Sequence, residues 1–193
     1  MTARPRYITK IAICLAMIST SYVHGQALSF GPAAPKIPDT GLHAILLGTG
    51  MPVPNPERAS ASTLIIAGGT TFMVDTGFNS LPRLVENGYQ QVDHILFTHF
   101  HIDHYGDLDR IFFNRGTAGA QEPQSIFGPK GTKDIVDKVV ESVAIDEKYR
   151  IEHHGEHWPK ESMRAAVQEC EPGVIYEKDG LKVTMFLVDH EPI

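Results

Sequence analysis

Short apolar runs broken by glycine, proline and polar turns dominate this chain, the rhythm of strands, with one stretch of clear helical period. Residues 43–47 (His-Ala-Ile-Leu-Leu) form a run of the length and composition of a buried strand. Residues 63–67 and 70–74 flank Gly68-Gly69 and predict a hairpin, the glycines supplying positive φ in the turn. Residues 80–86 predict a short helix stopped by Asn87-Gly88. The run 92–97 predicts another strand, 107–113 a helix, and 125–127 a strand closed by Gly128-Pro129. Between 132 and 143, apolar Ile135, Val136, Val139, Val140 and Val143 recur at the spacing of a helix packed on a sheet. Residues 174–176 and 181–188, joined through Lys178-Asp179-Gly180, predict a last hairpin. Strands alternating with helices in this way indicate an α/β layered fold.

Two segments depart from that rhythm. Residues 1–25 have the plan of a secretory signal peptide: Arg4, Arg6 and Lys10, then apolar 11–18, then Val23-His24-Gly25 before Gln26. The apolar run is too short to span a bilayer, which takes about 20 residues. Residues 26–41, with Pro32, Pro35, Pro38, Gly31 and Gly41, read as a linker, which leaves 42–193 as the domain. Residues 145–164 are polar and predict an arm at the mouth of the site, carrying Tyr149, Arg150 and Trp158. In that arm His153 and His157 are spaced as an i, i+4 pair, with no third ligand evident.

Composition narrows the partners. The net charge of −6 falls to −9 if residues 1–25 are removed, because they carry three cations and no anion. Such a balance disfavours a general binder of phosphate backbones, so nucleic acid is not the expected partner. A periplasmic or secreted location follows from the leader, with no membrane anchor once it is cleaved. Cys14 and Cys170 predict neither a disulfide nor a zinc-type cysteine pair.

The chemistry concentrates after the strand at 92–97. His99-Phe100-His101-Ile102-Asp103-His104 places three imidazoles and a carboxylate within six residues, the donors a borderline cation such as Zn²⁺ takes at about 2.0–2.2 Å. Asp75, at the end of an earlier strand, is placed either to orient a ligand histidine or to cap the helix that follows. His94, at the far end of its strand, is expected to be structural. Gly48-Thr49-Gly50 does not open a helix, since Pro52 and Pro54 follow; this excludes a dinucleotide fingerprint and predicts a tight turn at the rim of the site.

The His-x-His-x-Asp-His run resembles the signature of the metallo-β-lactamase fold superfamily. With Leu47-Gly48-Thr49-Gly50, Val74-Asp75-Thr76-Gly77 and Val188-Asp189-His190-Glu191-Pro192, it is similar to the branch of ribonuclease Z-like and arylsulfatase-like hydrolases. The resemblance covers about residues 42–193. It implies an αββα sandwich, here its N-terminal half and the start of the second, with two zinc ions at the sheet edge. By matching positions, His99, His101 and His190 would hold the first metal, and Asp103 and His104 would begin the second. Asp103 would also orient or deprotonate the nucleophile, with Asp75 behind the ligands. The family completes the second site with an Asp and a His that fall beyond Ile193, so the expectation is an incomplete domain holding one zinc. Taken with the leader and the charge, the expected activity is hydrolysis of a small extracytoplasmic ester: an arylsulfate, a phosphodiester or a lactone. The alternatives are a non-catalytic metal-binding fragment and a ribonuclease Z-like phosphodiesterase.

Overall fold

The computed structural model describes residue 38 and residues 40–190. The expected signal peptide and most of the linker lie outside the described residues. Strands β1 (Leu42–Gly48), β2 (Ser62–Ala67) and β3 (Thr70–Val74) form an antiparallel meander, and Gly68 and Gly69 both take positive φ in the β2–β3 turn. Helix α1 (Ser80–Glu86) then crosses to β4 (His94–Leu96), which pairs parallel with β3. After a 3₁₀ turn (Ile102–His104) come α2 (Leu108–Thr117), β5 (Gln124–Gly128), α3 (Thr132–His154) and β6 (Ala165–Glu169). The result is one six-stranded sheet in the order β1-β2-β3-β4-β5-β6, with a separate hairpin of β7 (Gly173–Lys178) and β8 (Leu181–Met185).

Register explains how the sheet is glued. Leu64, Met73, Ile95 and Ile126 lie directly across from one another on β2 to β5, and each is fully buried. They pack in one core with Leu84 of α1, Leu108 and Phe112 of α2 and Val136 of α3. Burying each such side chain contributes about 1.5–3 kcal/mol. The neighbouring row points to the other face, and there Tyr176 of β7 packs edge-on against Phe72 at 5.1 Å and, tilted, against His94 at 4.9 Å. Three layers are thus present, helices, sheet and hairpin, in an α/β arrangement; a second helical layer is not among the described residues.

Three expectations need correction. Helix α3 does not stop at Val143 but continues to His154, and Gly155 at φ 60 ends it. The stretch 145–164 is therefore no arm at the site mouth. Trp158 is buried against Gly116 near the end of α2, about 12 Å along that helix from its start beside the metal loop. The last strand ends at Met185, because β7 begins at Gly173, its pairing partner, and offers nothing beyond it. Residues 186–190 run on as exposed coil. No helix among the described residues is long and apolar enough to cross a membrane.

Candidate metal centre

Val74 and Leu96 are paired neighbours, so the chain leaves β3 and β4 at the same sheet edge. Asp75 follows with φ 59, and its N–H continues the ladder to Leu96 O at 2.9 Å. Its carboxylate then gathers the next loop. Oδ1 accepts the Thr98 N–H at 2.9 Å, and Oδ2 accepts the Thr98 hydroxyl and His104 Nδ1, each at 2.7 Å. Asp75 is thus hydrogen-bonded to a histidine, and its carboxylate does not cap α1. Capping of α1 falls instead to Asp107, whose Oδ2 accepts the Leu81 N–H at 3.0 Å.

These bonds fix tautomers. Thr98 Oγ1 spends its proton on Asp75, so at 3.0 Å from His99 Nδ1 it can only accept. His99 and His104 therefore both carry their proton on Nδ1 and turn an Nε2 lone pair outward, the arrangement that outer partners impose on ligand histidines.

The loop and the coil after β8 converge. One ring nitrogen from each of His99, His101 and His190 falls within 4.8 Å of the others. His99 Nε2 and His101 Nδ1 stand 3.0 Å apart, close to the spacing of about 3.3 Å between two nitrogens on a tetrahedral zinc. Three imidazoles without a competing ammonium suit a divalent ion of the zinc type. Beside them, Asp103 is buried with Oδ2 3.8 Å from His104 Nε2, so these two donors face one small region. The 3₁₀ turn carrying them is pressed onto the Asp75-Thr76-Gly77 loop. Thr76 N–H donates to His104 O at 2.7 Å, and a Cβ on Gly77 would fall 2.3 Å from Asp103 O.

Burial, then the nearness of His104, His101 and His190, push the His99 pKa below its usual value, against the pull of Asp75. His104 goes the other way: its hydrogen bond to Asp75 raises the pKa and outweighs burial. His94 sits at the opposite end of β4 among Phe72, Phe127 and Tyr176, away from this centre. His153 closes α3 while His157 lies in the following 3₁₀ turn (Gly155–His157), so the two do not share a helical face. The role of Asp107 is not legible in the sequence. It reads there as the start of the next helix, whereas the amide it caps lies 26 positions upstream.

Residues 55–120 match the model of the metallo-beta-lactamase superfamily. The chain carries a metallo-beta-lactamase superfamily domain. It is 35% identical over 157 residues to a ribonuclease Z of Mycolicibacterium gilvum, a match covering 79% of this chain and 54% of that one. Among solved structures, the metallo-beta-lactamase fold protein YhfI from Bacillus subtilis superposes with a TM-score of 0.50 at 17% identity, over 68% of this chain and 47% of its own. Human tRNase Z, short form, gives 0.49 at 20% identity, over 65% and 44%. The chain spans about half the length of the curated relatives it matches. These relatives correct one expectation. Ribonuclease Z relatives are cytoplasmic tRNA-processing enzymes, which conflicts with the periplasmic or secreted location inferred from residues 1–25.

Proposed function

We propose that this domain belongs to a metal-dependent phosphodiester hydrolase of the ribonuclease Z kind, with RNA as its substrate. The observation that carries the reading is the convergence of His99, His101 and His190 next to Asp103 and His104 at one sheet edge. The three histidines would hold one divalent ion, typically zinc, and Asp103 with His104 would contribute to a second. An ion bound there supplies Lewis acidity and an acidified water. The protein's own part is positioning: Asp75 holds His104 and Thr98, Thr98 holds His99, and the Asp103 carboxylate faces the same space, where it can accept a proton.

The choice of a phosphodiester over the arylsulfate or lactone first expected rests on the relatives, which are named for RNA cleavage. A local feature supports it. A cavity of about 660 Å³ opens beside the metal loop, lined by Arg58 and Arg110, Asp107 and Asp109, and Phe78 and Gly106 among others. Arg58 and the aromatic face of Phe78 suit a phosphate and a base, while Arg110 is paired with Asp107 at 3.1 Å.

The test is to load the full chain with zinc and assay it on a tRNA precursor, bis-nitrophenyl phosphate and nitrophenyl sulfate. The expected result is cleavage of the phosphodiesters that a chelator abolishes and that His101→Ala and His190→Ala remove. Turnover of the sulfate ester alone, or no chelator-sensitive turnover, would overturn the proposal.

A further inference from the structure

We propose that Asp107 is a positioning residue for the His104 side of the metal centre, an inference that rests on the metal-dependent reading above. Asp107 is 2% exposed. Its carboxylate accepts the Leu81 N–H on Oδ2 at 3.0 Å and Arg110 Nη1 on Oδ1 at 3.1 Å. Its own N–H donates to Thr76 O at 2.9 Å, while Thr76 N–H donates to His104 O at 2.7 Å. The segment from Thr76 to Leu81 is thereby pinned to residues 104–107 at both ends.

That segment needs pinning. Asp75 at φ 59 and Asn79 at φ 63 both take left-handed backbone without being glycine. Such conformations are strained and persist only where the surroundings over-determine them. Release of the Leu81 end lets the segment relax, and Asp75, one residue before Thr76, then loses its register against His104 Nδ1. The hydrogen bond that holds the His104 tautomer is the one at stake. A neutral cap would serve α1 alone. The carboxylate accepts an amide and a guanidinium together, through charge-assisted bonds stronger than neutral ones.

The experiment compares Asp107→Asn with Leu84→Ala, which loosens α1 from the core without touching Asp107. In the metal-free full chain labelled with ¹⁵N-histidine, the hydrogen-bonded Nδ1 proton of His104 is followed by NMR, and zinc affinity is measured by competition with a chelator. Asp107→Asn is expected to lose the His104 signal and to weaken zinc binding about 10-fold or more. Leu84→Ala is expected to lower thermal stability and keep the signal. Arg110→Gln, a half-exposed position that leaves the fold intact, is expected to shift the same resonance and keeps the test open if Asp107→Asn does not fold. An unchanged His104 signal in Asp107→Asn, or equal loss of it in Leu84→Ala, would overturn the proposal. Absence of zinc binding by the unsubstituted chain would overturn the metal-dependent reading, and the metal-free NMR comparison would still decide what Asp107 does.

Discussion

Asp75 accepts hydrogen bonds from Thr98 and from His104 Nδ1, and through them it separates the acid–base behaviour of two adjacent histidines. His104, held by Asp75, has its pKa raised above the unfolded value of about 6.5, so the charged pair stabilises the fold below that pH. That contribution fades as pH rises through the raised folded pKa. Asp75→Asn removes it. Its stability deficit against the unsubstituted chain is therefore expected to be larger at pH 5.5 than at pH 8.5, read from urea unfolding of the metal-free protein. His99 has a lowered pKa, so its imidazole is already neutral at a pH where His104 still holds a proton. As pH rises in the metal-free protein, His99 is therefore expected to lose its proton before His104 does. An NMR pH titration of the two imidazoles measures this, and titration of both together would contradict the assignment of the two histidines.

At the scale of elements, the site depends on two loops from neighbouring strands lying almost in backbone contact. Gly77 permits this, since a Cβ there would meet backbone oxygens of Asp103 at 2.3 Å and Ala61 at 2.7 Å. Backbone has little room to yield. Gly77→Ala is expected to cost about 1–3 kcal/mol, measured by urea unfolding, and to weaken zinc binding together with it. Much of this level was legible beforehand. The β2–β3 hairpin announces itself by Gly68-Gly69, α1 by its stop signal, and the His99 loop by a donor density that is local in sequence. What escaped depends on distant partners. β6 reads Ala-Ala-Val-Gln-Glu, residues mostly poor in strand propensity, and is a strand because it pairs with β5. The extension of α3 carries Glu147 and Arg150 on its inward side, and only the structure supplies Arg164 for the first and the rings of Phe113 and Trp158 for the second. Asp107 belongs to the same class, with its partner amide far upstream.

For the described part of the molecule as a whole, the two faces of the sheet are treated unequally. The row of Leu64, Met73, Ile95 and Ile126 is sealed by helices, whereas the opposite face is covered by the β7–β8 hairpin over only part of its width. Leu42 and Leu46, spaced to share one face of β1, are 75% and 69% exposed. Phe186, Leu187 and Val188 beyond β8 are also exposed. Single exposed leucines are ordinary, but two on one strand face beside the uncovered part of the sheet form the kind of apolar surface that drives association. Among the described residues β1 is also an edge of the sheet, with one side of its backbone available to pair with another strand. The net charge of −6 opposes association only weakly at physiological salt, where the Debye length is about 8 Å. The 193-residue chain is therefore expected to self-associate with rising concentration. In sedimentation velocity, Leu42→Lys with Leu46→Lys should shift the mass distribution toward the monomer. Zinc uptake should be unchanged, because both leucines lie outside the donor cluster and outside the Asp75 and Asp107 hydrogen bonds that orient it. A monomeric unsubstituted chain would show that the hairpin alone shields this face well enough.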